Sequence, residues 1–124
     1  MIDAITGKPL KSSGNLLVLQ TGDFAFRIRV PERFLVEGLA QGPTITLYTV
    51  LRVHEDEIKL FGFPTSFERD LFELLTTVSG VGPSTAMALM SALEPGAIVK
   101  SVEDRTPGPL MRAKGIGRKT AERM

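Results

Sequence analysis

The sequence predicts an α+β (mixed) protein in two parts. Residues 1–63 read as a five-stranded β-barrel of the OB-fold kind. Residues 64–124 read as an all-helical domain with two helix-hairpin-helix motifs. Three observations carry this. In the first half apolar and polar residues alternate, the period of a strand with one face buried. In the second half apolar residues recur every three or four positions, the period of a helix. The helical half also overlays itself when shifted by 35 residues.

The strand candidates come first. "MIDAITG" is the weakest and "NLLVLQ" is short. "TGD" (21–23) suits a hairpin turn into "FAFRIRV", where Phe24, Phe26, Ile28 and Val30 alternate with Ala25, Arg27 and Arg29. "PERFLVEGL" (31–39) reads as one or two helical turns opened by Pro31. "TITLYTVLRV" places Ile45, Leu47, Thr49, Leu51 and Val53 on one face, and "IKLFGF" is the last strand candidate. Five short strands in this pattern suit a small closed barrel.

The period changes at "FPTS" (63–66). "SFERDLFELLTTV" has apolar residues at 67, 71, 72, 74, 75 and 78; Ser66 is the N-cap candidate, and Arg69 three residues on means that no capping box forms from it. "PSTAMALMSAL" tolerates Pro83 in its first turn. "PGAIVKSVED" is the next helix. "TPGPLMRA" is short, with Thr106 as cap and Pro109 inside it. "RKTAERM" begins a last helix that stops at Met124 after about two turns, and helices so short are marginal alone. The expectation is a chain that lacks a further region.

Composition narrows the classes. Apolar residues make up 43% of 124, too many for a disordered chain. There is no cysteine, so neither a disulfide nor a thiolate metal site is available, and one histidine makes a transition-metal site improbable. The N-terminus lacks the basic start and apolar run of a secretory signal, and no stretch nears the roughly 20 apolar residues of a membrane helix. Net charge is only +1, which excludes a protein that coats nucleic acid over its whole surface. Local charge differs: Arg112, Lys114, Arg118, Lys119 and Arg123 against Glu122 give five minus one, or +4, while acid gathers at Glu55-Asp56-Glu57.

The repeat carries the chemistry. Gly80-Val81-Gly82 falls on Gly115-Ile116-Gly117, and Thr85-Ala86 falls on Thr120-Ala121. Each unit is a helix, a glycine-hydrophobe-glycine hairpin and a second helix, which is the helix-hairpin-helix pattern. Glycine permits positive φ and removes the Cβ that would bar a close approach. Val81 or Ile116 can plug the hairpin into its helix pair. The N–H groups opening the next helix lack intrahelical partners and point at an anion along with the positive end of the helix dipole. The phosphate-binding residues read from this are Gly80, Val81, Gly82, Pro83, Ser84 and Thr85, and Gly115, Ile116, Gly117, Arg118, Lys119 and Thr120. Such a site grips backbone and is blind to base sequence. A single such hairpin also suits a helix C-cap followed by a turn; two copies at one spacing favour phosphate binding.

Other features are weaker. "HEDE" (54–57) reads either as a solvated hairpin tip or as an acidic pin that repels phosphate. His54 suits a surface turn. Arg27 and Arg29 share the outward face of a strand, solvated or tracking DNA. Met87, Met90 and Leu93 suit core or interface. There is no GxxxxGK[ST] loop and no credible Ser-His-Asp set, so no catalytic residue is assigned.

The chain resembles the RuvA family of Holliday-junction branch-migration proteins, through "GDFAFRIRVP", "RVHEDEIKLFGF", "ERDLFELLTTVSGVGP" and "GIGRKTAER". The resemblance implies a cytoplasmic bacterial homotetramer, without cofactor, that holds four-way DNA junctions open during recombination and repair. It implies that the two hairpins grip the arms and that Glu55 and Asp56, with Glu57 beside them, form the acidic pin. It also implies a separate ATPase motor, RuvB, and a resolvase, RuvC. There are departures. Ser84 stands where the family usually has lysine, and Lys114 where the second hairpin often has proline. The family's third domain, which contacts the motor, would follow Met124; its absence implies that RuvB is not recruited. Two other classes are weighed. A helix-hairpin-helix glycosylase would use an aspartate such as Asp104, but it needs an all-helical body. A general duplex or single-strand DNA-binding module shares the hairpins and has no use for an acidic tip.

Overall fold

A computed structural model describes residues 1–36, 42–113 and 115–124. They form two compact units, Met1–Arg69 and Asp70–Met124. The first is a closed barrel of β1 (Ala4–Ser13), β2 (Leu16–Thr21), β3 (Phe24–Arg29), β4 (Ile45–Val53) and β5 (Ile58–Phe63), with α1 (Glu32–Val36) between β3 and β4. The strands run around it in the order β1-β2-β3-β5-β4, as the OB-fold reading requires. All pairs are antiparallel except β3 with β5, where Arg29 meets Phe61 in parallel.

The first strand closes the barrel because it serves two neighbours. Ala4–Gly7 pairs with β4, and Lys8–Ser13 pairs with β2. A register shift between Pro9 and Lys11 marks a bulge, where a residue without an N–H interrupts no ladder. The sequence underrates this strand. Its second half carries Lys8, Lys11, Ser12 and Ser13 on an exposed edge, and Pro9 hides the period. Two-residue loops, Gly14-Asn15 and Gly22-Asp23, join β1 to β2 and β2 to β3, so the predicted "TGD" hairpin stands.

Alternation places Ile5, Leu17, Leu19, Ile28, Val30, Leu47 and Leu60 inside the barrel, where Phe34 of α1 joins them. Gly62 lies in this core: a Cβ there would sit 2.7 Å from Ile28 Cγ2 and 3.2 Å from Leu47 Cδ1. The pattern of β3 fades toward the turn, with Ile28 fully buried and Phe24 67% exposed. Of the predicted helix over 31–39, α1 accounts for residues 32–36; Pro31 stands just before it, and 37–39 lie outside the described residues.

The start of α2 (Ser66–Leu75) corrects the sequence reading of its cap. Thr65, not Ser66, is the capping residue, since the Arg69 N–H donates to the Thr65 carbonyl at 3.2 Å. The Glu68 N–H donates to Thr65 Oγ1 at 3.1 Å, and that hydroxyl lies 3.2 Å from Glu68 Oε2. Thr65 and Glu68 stand at capping-box positions, one residue before the predicted cap, but the glutamate meets the threonine hydroxyl. Glu68 is buried and also pairs with Arg33 of α1 at 2.8 Å.

The rest of the second unit is α3 (Pro83–Ala92), α4 (Pro95–Glu103), α5 (Pro107–Leu110) and α6 (Arg118–Arg123). α4 ends in a Schellman motif, with Thr106 N–H donating to Ser101 O at 3.0 Å and Arg105 N–H to Val102 O at 3.2 Å. Arg105 therefore sits at φ 54°, the one non-glycine residue with positive φ among those described. α5 is four residues long, as Pro109 predicts.

Candidate nucleic-acid interface

The 35-residue repeat survives as geometry. Val81 N–H donates to Val78 O at 3.0 Å, and Ile116 N–H to Ala113 O at 3.2 Å. Ala86 N–H donates to Gly82 O at 2.9 Å, and Ala121 N–H to Gly117 O at 3.0 Å. Gly80 and Gly115 have φ of 88° and 92°, a conformation that side chains disfavour. Gly82 and Gly117 have φ, ψ of −91°, −179° and −89°, −178°. Val81 and Ile116 are 3% and 5% exposed, so each plugs its hairpin into the helices as expected.

The second glycine of each hairpin has a different status from the first. Its φ suits any residue, and a Cβ at Gly82 or Gly117 would meet nothing within 4 Å. Folding does not demand glycine there. Each is the N-cap of the following helix, where Ser, Asp or Asn would bond the orphan N–H groups. Glycine leaves those donors without a side-chain cap and leaves space over them. That combination admits an acceptor from outside.

The flanking side chains differ between the copies. Ser84 is exposed at the start of α3, beside Pro83, which lacks an N–H. Arg118 and Lys119 are exposed at the start of α6, where Arg118 Nε pairs with Glu122 at 3.0 Å. Lys114 lies outside the described residues.

Thr85 and Thr120 have a role the sequence did not indicate. A Cβ on Gly80 would sit 3.2 Å from Thr120 Oγ1, and one on Gly115 would sit 3.2 Å from Thr85 Oγ1. Each threonine faces the first glycine of the other hairpin. The two motifs are thus interlocked by a reciprocal contact of residues 40 and 30 apart in sequence (120 minus 80, 115 minus 85). The repeated T-A pair was visible in the sequence; its cross-motif partner was not.

The acidic tip is built in the other unit. β4 and β5 end at Val53 and Ile58, which pair across the ladder, and His54 N–H closes the turn on Glu57 O at 2.8 Å. Glu55, Asp56 and Glu57 are exposed. Glu57 pairs with Lys59 at 3.1 Å, so the tip's unneutralised charge falls to Glu55 and Asp56. Val53 and Ile58 are each 67% exposed beneath it. Arg27 is exposed and Arg29 half-buried on β3, and Asp104 is exposed at the end of α4.

A closed barrel with an acidic hairpin tip and a tandem of glycine hairpins defines a protein of the helix-hairpin-helix class. Known proteins agree. Residues 1–62 match the family described as RuvA N terminal domain, and residues 72–124 match the SAM-like helix-hairpin-helix tandem. The Holliday junction branch migration complex subunit RuvA of Symbiobacterium thermophilum is 39% identical over all of this chain and 60% of its own length. The proteins of the same name from Nocardia farcinica and Thermus thermophilus are 39% and 38% identical over all of this chain and 61% and 64% of their lengths. The chain belongs to the RuvA family. It spans about 60% of the length of these relatives. Among the described residues no helix is long and apolar enough to cross a membrane.

Proposed function

We propose that this chain binds four-way DNA junctions without regard to sequence and holds them open for branch migration. The observation that carries the reading is the pair of matched hairpins whose second glycines have no structural need to be glycine. Uncapped donors under open space suit a phosphate oxygen. Two such sites held together by the Thr85 and Thr120 contacts suit the two strands of one duplex. The proposed contacts are residues 80–85 and 115–120. The names of the relatives, each a branch migration complex subunit, support the junction as substrate.

The acidic tip supports the junction over plain duplex. Glu55 and Asp56 stand exposed with no cation beside them among the described contacts. Carboxylates near phosphates raise the energy of DNA that crowds them. At the open centre of a junction they would deflect separated strands outward into the arms. In this reading the chain is a DNA-binding subunit of a cytoplasmic homotetramer and not an enzyme, the barrel (1–63) carrying assembly and the tip and the helices (64–124) the grip. ATP hydrolysis belongs to a separate motor, RuvB, and strand cleavage to RuvC.

The test is a competition at fixed salt between a four-way junction and linear duplex of the same sequence. Strong preference for the junction is expected. Equal affinity would instead favour a general duplex-binding module.

A further inference from the structure

The two motifs are matched in backbone but not in charge. Position by position, Pro83, Ser84 and Ala88 of the first correspond to Arg118, Lys119 and Arg123 of the second. The helix that follows the first hairpin, α3, contains no basic residue at all (PSTAMALMSA), whereas α6 carries three in six residues. Arg118 is tied to Glu122. The side chain of Arg123 runs elsewhere. A Cβ on Gly80 would sit 3.6 Å from Arg123 Nη1, beside the Thr120 side chain that fills the same space. The guanidinium of the second motif's helix therefore lies against the turn of the first hairpin. Arg123 is exposed, and no carboxylate is paired with it among the described contacts.

We infer that Arg123 is a DNA-binding residue of the first hairpin, supplying from across the pseudo-repeat the cation that Ser84 does not. This rests on the phosphate-binding reading of the hairpins proposed above. A guanidinium is always charged and presents several N–H donors to phosphate oxygens. Placed over Gly80, it can reach a phosphate held by the N–H groups of residues 82, 84 and 85 while leaving that backbone open. The arrangement also gives Gly80 a second reason to lack a Cβ, since a side chain there would crowd both Thr120 and Arg123.

The test is a set of binding titrations on a four-way junction at several salt concentrations, using the chain and its variants Arg123→Gln, Ser84→Lys, Lys119→Gln and the two pairs with Ser84→Lys. Thermal melts of each variant check that these exposed substitutions leave the fold intact. Arg123→Gln is expected to weaken binding about five- to tenfold near 0.1 M salt and to lower the salt slope by about one. Ser84→Lys is expected to recover most of that loss in the Arg123→Gln background and to gain clearly less in the parent and in Lys119→Gln. Arg123→Gln without effect would overturn the inference. So would an equal gain from Ser84→Lys in all three backgrounds, because Arg123 would then serve another phosphate. If the parent itself fails to bind DNA, the hairpin reading falls, and this inference with it.

Discussion

Glycine at four matched positions does two separable things. At Gly80 and Gly115 the backbone has φ near 90° and the neighbouring threonine fills the space, so any side chain is strained and crowded. At Gly82 and Gly117 neither condition holds. Substitution at the two kinds of site should therefore give different phenotypes. Gly117→Val is expected to keep the fold, with a melting temperature within a few degrees of the parent, and to lose at least tenfold in DNA affinity because its side chain covers the donors. Unchanged affinity in the folded variant would remove the phosphate role. Gly115→Val, by contrast, is expected to destabilise the second unit by about 1–3 kcal/mol in denaturant unfolding. At the tip, Glu55→Gln with Asp56→Asn should leave junction binding equal or tighter, since two repulsive charges are removed from an exposed turn. A large loss of affinity would mean that these side chains make attractive contacts and are not a pin.

At the scale of elements, what was legible in the sequence follows from where the signal is local. The hairpins were legible because their need for positive φ and a plugging hydrophobe is written in three adjacent residues, twice. β3 and β4 were legible because apolar residues alternate along them, although burial follows only in part: Val50 is buried on the other face of β4, and Phe24 and Val53 are exposed. The full length of β1 was not, because half of it lies on an exposed, lysine-rich edge interrupted by Pro9. The N-cap of α2 was misplaced by one residue because Ser66 and Thr65 are both good caps, and only the partner at position 68 decides between them. The contacts of Thr85 and Thr120 were beyond reach, since they depend on how two distant hairpins meet. The Schellman end of α4 adds a prediction. Arg105 holds a left-handed conformation that costs an L-residue about 1 kcal/mol relative to glycine. Arg105→Gly should stabilise the fold by about 0.5–1 kcal/mol in urea unfolding, with no change in the denaturant slope. Destabilisation would show that the arginine side chain contributes more than its backbone strain.

For the whole molecule, the decisive quantity is where its charges lie and not their sum. A net +1 gives almost no long-range attraction to DNA. The DNA binding proposed above would then come from short-range contacts, and its salt dependence would count the phosphates that cations meet. On the proposed reading backbone donors release few counterions, whereas Arg123 at the first hairpin and Arg118 and Lys119 at the second would release about one each. The slope of log affinity against log salt for one chain on one duplex arm should be shallow, about −2 to −3. Assembly multiplies it. A tetramer that grips four arms at once should show a slope several times steeper on a four-way junction than on linear duplex, and an affinity far higher, because each further arm binds at high effective concentration. Light scattering gives the assembly state under the same conditions, with a tetramer expected. If scattering shows monomers throughout and the two slopes coincide, each chain acts alone, and the acidic tip has no junction centre to occupy.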